Sequence, residues 1–168
     1  MQCKGCFGAS FNDCSICYER SKEMCTKHID IKYVKDGIDK IKQIENGDWI
    51  DLRVAEDVSL TAGEYKMIPL GVAMRLPSNT EALIIPRSST FKKYGILQAN
   101  SVGLIDESYC GDNDEWQFPA YATREVFIPK NTRICQFRVI EHQPTIKFYD
   151  VSHLSDKDRG GFGSTGEK

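Results

Sequence analysis

Much of the chain between residues 29 and 150 is a succession of short runs in which apolar and polar residues alternate. Successive side chains of a β-strand point to opposite faces, so this pattern is typical of strands with one buried face. Glycine, proline and asparagine separate the runs and indicate turns. The predicted strands are residues 29–33, 49–55, 65–70, 72–76, 82–86, 116–121, 125–128, 133–140 and 146–150. The sequence therefore predicts an all-β sandwich or barrel.

Three segments depart from this pattern. Ile38, Ile41 and Ile44 recur at every third residue, which fits a short helix or a tight loop. Residues 88–94 form the one helix-like run in the second half of the chain. Residues 159–166 hold one aromatic side chain among glycines, and a segment of this composition cannot pack by itself. We therefore expect a C-terminal arm that stays mobile until another surface orders it.

The composition of the 168 residues is that of an ordinary globular protein, with 40% hydrophobic and 27% charged residues. A formal net charge of −2 argues against electrostatic binding to nucleic acid. The longest aliphatic run, residues 82–85, is far shorter than the ~18 residues of a membrane helix. Asp13, Glu19 and Arg20 interrupt the region where an export signal needs an apolar core, so we expect a cytoplasmic protein.

The first 28 residues are set apart by five of the chain's seven cysteines. Together with one histidine they form three pairs of the same spacing, each eleven residues after the last: Cys3 and Cys6, Cys14 and Cys17, Cys25 and His28. Two such pairs supply the four ligands of a tetrahedral structural zinc site. We predict Zn²⁺ on Cys3, Cys6, Cys14 and Cys17, with the third pair able to replace one of these. The alternative is a segment of reduced thiols without metal.

Four segments of the chain carry side chains suited to chemistry. Residues 86–90 (Pro-Arg-Ser-Ser-Thr) combine a cation, hydroxyls and the amides that open a short helix, which together suit a phosphate. Residues 100–111 fit a β-hairpin that carries the carboxylate of Asp106 and one aromatic, Tyr109. Residues 133–136 place a cation and an amide on a later strand, and the arm adds a mobile aromatic. Each signal is weak alone, since surface ion pairs and turn aspartates look the same locally.

In this order, however, the segments are specific. The chain resembles the trimeric dUTP diphosphatases (dUTPases), a family with five ordered motifs. The matching segments are residues 49–55 (Trp-Ile-Asp-Leu-Arg-Val-Ala), 86–89, 100–111, 133–137 and 161–166 (Gly-Phe-Gly-Ser-Thr-Gly). The cysteine pattern and the resemblance together divide the chain into a Cys-rich head (residues 1–28), a dUTPase-like β domain (29–158) and the Gly-rich arm (159–168).

The resemblance implies a fold, an assembly and a reaction. Proteins of this family are barrel-like β jelly rolls that close into homotrimers, with each active site shared between subunits and covered by a C-terminal arm. They hydrolyse dUTP to dUMP and pyrophosphate with Mg²⁺ bridging the phosphates. This limits uracil incorporation into DNA and supplies dUMP for dTMP synthesis. The expected partners are therefore dUTP and further copies of the chain, and the expected cofactor is Mg²⁺.

Carried over by position, the motifs imply a role for each site residue. Asp106 would activate the attacking water, and Asp51 would reach Mg²⁺ through its water shell. Tyr109 would pack against the deoxyribose and leave no room for a 2′-hydroxyl. The residues expected to hold the triphosphate or order the water are Arg87, Ser88, Ser89 and Gln136, and those expected to read the uracil edge are Asn100 and the backbone at Gly103.

The arm would complete the site. Its expected substrate-binding residues are Arg159, Phe162, Gly163, Ser164 and Thr165. Phe162 would stack on the uracil, and the hydroxyls would meet the γ-phosphate end. The family's arginine commonly lies five residues before the phenylalanine, but here Lys157 stands at that position and Arg159 lies three before it. Either cation is therefore a candidate for the γ-phosphate.

Two alternative functions stay open at this point. The dCTP deaminases, some also dUTPases, share the fold and the Arg-Ser-Ser segment, and Glu115 lies near the position of their catalytic glutamate. Two features resemble the dUTPases instead: Gly95 lies eight residues after Arg87, as it does in that family, and the chain has the Gly-Phe-Gly-Ser-Thr-Gly ending. The other alternative is a dUTPase-like regulator that binds protein or nucleic acid through the head. Residues 112–115, which the family pattern lacks, fit a solvated bulge or an extra metal contact.

Overall fold

β-Strands make up nearly all of the regular secondary structure in the described part of the chain. A computed structural model of the protein describes residues 26–42, 47–155 and 157–160. Its elements are β1 (Asp30–Tyr33), β2 (Ile50–Arg53), β3 (Val58–Leu60), β4 (Tyr65–Pro69), β5 (Val72–Arg75), β6 (Thr80–Pro86), α1 (Thr90–Tyr94), β7 (Ile96–Gln98), β8 (Gly103–Ile105), β9 (Gln117–Ala122), β10 (Val126–Ile128) and β11 (Arg133–Glu141). Within these residues no helix is long and apolar enough to cross a bilayer. The prediction of an all-β protein is confirmed.

The strands form small antiparallel sheets that wrap around a common core. The largest has the order β2-β11-β6-β8, a second has the order β4-β9-β7, and β1 with β5 and β3 with β10 form two-stranded ribbons. In the largest sheet β11 is central, and Cys135 lies opposite Leu52 of β2 and Pro86 of β6. The end of β2, the end of β6 and the start of β11, which are distant in sequence, therefore lie side by side.

The core is built from the inward faces of these strands. On β6, Thr80, Ala82 and Ile84 are buried while the residues between them are only half-buried, which is the predicted period of two. The rings of Trp116 and Phe137 are fully buried and meet edge to face, with centroids 5.2 Å apart. Burial of apolar area at about 25 cal/mol per Å² stabilises this arrangement.

Two strand predictions are wrong. Residues 146–150 form no strand, and Phe148 and Tyr149 are 91% and 80% exposed. Their alternating pattern is insufficient, because a strand needs a partner and no described strand pairs with this segment. The hairpin expected over residues 100–111 is also wrong. Only β8 is a strand there, and it pairs with β6 while the residues after it form turns.

Two further strands, β3 and β7, were not predicted, because three residues are too few to show a period of two. The predicted helix over residues 88–94 forms only from Thr90 to Tyr94. Gly95 ends it in the left-handed conformation with φ 64°, and its N–H donates to the carbonyl of Phe91 at 2.8 Å. Residues 38–42 form a loop, not a helix.

Candidate active site

Three strands of the largest sheet bring one carboxylate and two arginines together. Asp51 on β2 lies between Arg87, which follows β6, and Arg133 at the start of β11. The Nε of Arg87 donates to Asp51 Oδ1 at 2.6 Å, and Arg133 Nη1 donates to Oδ2 at 2.9 Å. The register places Gln136 opposite Asp51 on the neighbouring strand. Only 27% of the Asp51 side chain is exposed, so this is a partly desolvated ion-pair network.

These four residues line a cavity of about 540 Å³, here called the arginine cavity. Cations outnumber carboxylates among its lining side chains, which include Lys40, Lys42, Arg53, Arg87, Arg133, Asp39 and Asp51. A cleft with an excess of positive charge concentrates anions. The arginine cavity therefore suits a ligand with several negative charges.

The segment after β6 is anchored at its base by Thr90. The hydroxyl of Thr90 donates to the carbonyl of Ile134 at 2.6 Å, and its N–H donates to the carbonyl of Arg87 at 3.0 Å. The N–H of Arg87 also donates to the Ile134 carbonyl, at 3.2 Å. Ser88 is exposed, and the Ser89 side chain makes no capping hydrogen bond to α1. The predicted phosphate segment is thus fixed at its base and open at Ser88.

The carboxylate of Asp106 is oriented by a short turn after β8. Its Oδ1 accepts hydrogen bonds from the N–H of Ser108 at 2.8 Å and from the Ser108 hydroxyl at 2.7 Å. These two bonds favour the ionised form and hold the pKa of Asp106 below its ordinary value, the main-chain bond contributing most. Because both bonds go to Oδ1, Oδ2 is left to accept a hydrogen bond from a ligand or water.

Tyr109 is tethered at its hydroxyl while its ring stays partly open. The hydroxyl donates to the main-chain carbonyl of Glu115 at 3.3 Å, and the ring side chain is 41% exposed. The carboxylate of Glu115 accepts the N–H of Gly71 at 2.8 Å. Glu115 therefore ties the turn that follows Tyr109 to the β4–β5 connection.

A second cavity of about 540 Å³ is lined by Asp106, Tyr109, Asn100 and Gly103, and is here called the Asp106 cavity. Apolar side chains, including Ile84, complete its lining. No described residue lines both this cavity and the arginine cavity. Within one chain, the predicted site residues thus form two separate groups, one cationic and one with a carboxylate beside an aromatic ring.

Residues 112–115 form a loop before β9 that pairs with no strand, so they are not a β-bulge, but Asp112 and Asn113 are exposed, as the solvated interpretation predicts. The N–H of Gly111 donates to Asp114 Oδ2 at 2.6 Å, and Asp112 pairs with Lys32 at 3.1 Å. Across the residues that the structure describes, no group of three or more His, Cys, Asp or Glu side chains could hold a metal ion. The acidic side chains of this loop have protein partners instead of an extra metal.

Several predicted site residues lie outside the described residues. They are the zinc ligands Cys3, Cys6, Cys14, Cys17 and Cys25, and the arm residues Phe162, Gly163, Ser164 and Thr165. His28, Lys157 and Arg159 are described and exposed. The roles assigned to all of these residues stay predictions.

The sequence analysis gave no role to two residues that shape the site. Ser108 could have been found, since a hydroxyl two residues after an aspartate is a common turn pattern. Arg133 was noted as a cation on a later strand, but nothing in the sequence assigned it a place beside Gln136. Strand residues three apart face opposite sides, but a register shift between Arg133 and Cys135 turns Arg133 toward the same cavity as Gln136.

Comparison with known proteins identifies the family. A family model described as dUTPase matches residues 49–166. The chain belongs to the dUTPase family. It is 54% identical over 140 residues to the SPbeta prophage-derived deoxyuridine 5′-triphosphate nucleotidohydrolase of Bacillus subtilis, which covers 83% of this chain and 99% of that protein. It is 37% identical over 119 residues to the deoxyuridine 5′-triphosphate nucleotidohydrolase of Gloeothece citriformis, covering 70% and 81% of the two chains.

Solved dUTPase structures have the same fold. The dUTPase of Streptococcus mutans superposes with a TM-score of 0.63 at 23% identity, over 70% of this chain and 98% of that one. The dUTPase of Staphylococcus bacteriophage 80alpha with dUPNHPP superposes with a TM-score of 0.69 at 19% identity, over 84% and 99%. The predicted dUTPase fold of the β domain is confirmed.

Proposed function

We propose that this member of the dUTPase family hydrolyses dUTP to dUMP and pyrophosphate at a site that unites the two cavities. The proposal rests on the different side chains that the two cavities offer. The arginine cavity offers the positive charge that a triphosphate needs, and the Asp106 cavity offers an ionised carboxylate beside an aromatic ring, which suits a nucleoside with a water to activate. The 54% identical Bacillus protein is named for the same reaction.

The working site is formed by different copies of the chain in a homotrimer. Two observations support this assembly. The two cavities share no described lining residue, so one copy holds each half without joining them. The chain after β11 also leaves large apolar side chains in solvent, namely Ile146, Phe148, Tyr149, Val151 and Leu154. Such a stretch is costly in water and suits the surface of a neighbouring copy.

Asp106 is the general base of the reaction. Its Oδ2 accepts a proton from a water, whose oxygen bonds to phosphorus as the α–β phosphoanhydride bond breaks and pyrophosphate leaves. Ser108 holds the carboxylate in one orientation and lowers its pKa, so Asp106 is ionised at neutral pH. The base is therefore ready to act without an earlier proton loss.

The arginine cavity holds the triphosphate. Arg87, Ser88, Ser89 and Gln136 bind phosphate oxygens or order the water, and Arg133 joins them as a second cation. Fixed charges and dipoles of this kind stabilise the charge that spreads over a transferring phosphoryl group. Because Arg87 and Arg133 are already aligned by Asp51, they need little reorganisation when the substrate arrives.

The arginine cavity suits Mg²⁺ only when the phosphates of the substrate supply further oxygen ligands. Asp51 and Asp39 are the carboxylates in its lining, and the described chain offers no cluster of three ligands. Mg²⁺ keeps several waters and is commonly held by substrate phosphates with one or two carboxylates, so Asp51 would reach it through water. When bound, the ion would neutralise part of the phosphate charge.

Nucleoside recognition falls to the Asp106 cavity and the arm. Asn100 and the backbone at Gly103 read the uracil edge, and Tyr109 packs against the deoxyribose where a 2′-hydroxyl would find no partner. Phe162 closes over the base. The arm residues Gly163, Ser164 and Thr165 meet the phosphates together with Arg159 or Lys157. Closure of such an arm excludes water and completes the phosphate contacts.

The head is proposed to bind one structural Zn²⁺. Two Cys-x-x-Cys pairs supply four thiolates, and a site with four protein ligands leaves no position for a catalytic water. Its ligands would be Cys3, Cys6, Cys14 and Cys17, with Cys25 and His28 as the replacing pair. The regulatory alternative depends on this head, of which residues 1–25 lie outside the described residues.

A single nucleotide panel tests the proposed reaction. Wild-type protein and Asp106→Asn are incubated with dUTP, UTP, dTTP and dCTP, and pyrophosphate and ammonia are measured together. We expect pyrophosphate from dUTP, no ammonia from dCTP, and a loss of ~10²–10⁴-fold in kcat for Asp106→Asn, the usual effect of removing a general base. Ammonia release would favour the deaminase. The bond from Gly71 to the Glu115 carboxylate argues against that outcome, because it gives Glu115 a structural partner.

A further inference from the structure

Among the described residues, three polar side chains are buried: Thr80, Thr90 and Gln98. Each threonine hydroxyl donates to a main-chain carbonyl, which accounts for it locally. Gln98 differs, because its amide contacts another amide, that of Asn100, which lines the Asp106 cavity. It lies at the end of β7 and is 8% exposed.

The hydrogen bonds of Gln98 fix the orientation of two amides in turn. Its Nε2 lies 3.1 Å from the main-chain oxygen of Ile84. A main-chain carbonyl can only accept, so the Gln98 atom that faces it is the nitrogen. The second hydrogen of Nε2 points to Asn100 at 3.0 Å, and the Asn100 atom that receives it is therefore the oxygen, Oδ1.

This chain of donors leaves the NH₂ group of Asn100 available to donate to a ligand.

The backbone at Gly103 packs closely against the same glutamine. A Cβ on Gly103 would lie 3.2 Å from Gln98 Nε2 and 3.3 Å from the Cβ of Ile84, so a side chain at this position would press on Gln98. The absence of a side chain at Gly103 keeps the amide pair in place.

We propose that Gln98 is a positioning residue that selects the base. It holds Asn100 with its donor side toward the substrate, so that the cavity accepts a carbonyl at C4 of a pyrimidine and disfavours an amino group there. The inference rests on the proposed role of Asn100 at the base edge. Uracil has a carbonyl at C4 and cytosine an amino group, whose hydrogens would face those of Asn100. Thymine carries the same carbonyl, so this device does not act on it.

The incomplete bonding of Gln98 supports a role in recognition. Its Oε1 is buried and has no hydrogen-bond partner. Leaving a buried polar atom unpaired destabilises the folded state, and an apolar side chain of similar length would avoid that loss. A glutamine that served packing alone would be a poor choice here. The orientation of Asn100 by the Gln98 amide explains why a polar side chain stands at this buried position.

The test compares Gln98→Met with the wild type and with Leu97→Met, which places the same new side chain on the exposed face of β7. Pyrophosphate release gives kcat/KM for dUTP, dCTP and dTTP. In Gln98→Met, the Asn100 amide is free to turn and can present its oxygen to the amino group of cytosine. We therefore expect the ratio of kcat/KM for dUTP to kcat/KM for dCTP to fall about tenfold or more. The dUTP:dTTP ratio stays unchanged, and Leu97→Met keeps both ratios.

An unchanged dUTP:dCTP ratio in folded, active Gln98→Met would overturn the inference, as would an equal fall in the rates of all three nucleotides. A wild-type protein that fails to hydrolyse dUTP would instead refute the proposed function, so the two failures are distinguishable. Should Gln98→Met not fold, Gln98→Glu decides in its place. It is nearly isosteric and lacks the NH₂ group that fixes Asn100, so the same fall in the dUTP:dCTP ratio is expected.

Discussion

The N–H and the hydroxyl of Ser108 both donate to one carboxylate oxygen of Asp106, at 2.8 and 2.7 Å. This arrangement settles two properties of the carboxylate at once. It fixes the direction of the second oxygen, and it lowers the pKa of Asp106 by stabilising the ionised form. A general base needs both properties, since it must face the water and be unprotonated.

Ser108→Ala is expected to move the acid limb of the pH profile of kcat/KM to higher pH. Activity is lost as pH falls through the pKa of the base, and removing the hydroxyl bond raises that pKa while the main-chain bond remains. Above the limb the rate is expected to fall less than in Asp106→Asn. Steady-state rates across the acid range provide the measurement, with Ser78→Ala, an exposed serine that lines neither cavity, as the control. An unmoved acid limb would show that Ser108 does not tune the base.

Tyr109→Ala is expected to lower the ratio of kcat/KM for dUTP to kcat/KM for UTP about tenfold. In the wild type the 2′-hydroxyl of UTP would lose its hydration against the ring and find no hydrogen-bond partner, at a cost of roughly 1–3 kcal/mol, and the variant removes this penalty. Tyr109→Phe is the matched control. It keeps the ring and loses only the bond to the Glu115 carbonyl, so the preference should persist. An unchanged ratio in Tyr109→Ala would place the discrimination elsewhere.

Truncation before Arg159 is expected to leave a folded protein with kcat/KM for dUTP reduced on the order of 10²-fold, because the proposed role of the arm is to complete the site while its glycine-rich sequence offers little apolar surface for packing. Phe162→Ala should reproduce part of the loss through missing base stacking. Thermal unfolding followed beside turnover separates the two effects. Full kcat/KM in the truncated protein would contradict the role of the arm.

Zinc is expected in near-stoichiometric amount in protein purified without a His tag, and Cys3→Ser and Cys14→Ser should each lower it while dUTP turnover is kept. Mass spectrometry measures the metal, and thiol titration shows which cysteines it protects. Cys135 does not disturb the titration, because full burial raises the pKa of its thiol and hides it. Cys110→Ser removes the remaining background from the β domain. Zinc-free protein with reactive thiols throughout the head would refute the site.

The sequence predicted the fold class because the period-2 pattern and the turn residues are local signals. The same locality explains the errors. Residues 146–150 alternate like a strand, but whether they pair is decided by a partner that the pattern does not contain. The segment after β8 has strand-like neighbours, yet the bonds from Ser108 to Asp106 favour a turn.

The candidate site was predictable residue by residue but not in its arrangement. Motif order found Asp51, Arg87 and Asp106, whose side chains do line cavities. It could not reveal that they fall in two cavities of one chain, because that depends on sheet order. The amide pair of Gln98 and Asn100 was equally hidden, since burial of a polar side chain is decided by packing from other strands.

The shared site is the central claim, and mixing two inactive variants tests it. Arg87→Ala damages the arginine cavity and Asp106→Asn damages the Asp106 cavity, and each homogeneous protein is expected to be nearly inactive. Co-expressed in equal amounts with different affinity tags and purified through both, the two chains assemble together if the protein is an oligomer.

Turnover of dUTP by the mixed protein is the decisive measurement. If each site takes its arginine cavity from one copy and its Asp106 cavity from another, every homotrimer that carries both tags has one site of its three with both halves intact, so about a third of the sites are restored. We predict recovery of that order over the two parent variants. Mixed oligomers that stay as inactive as their parents would contradict the account, because both cavities would then have to serve the same copy.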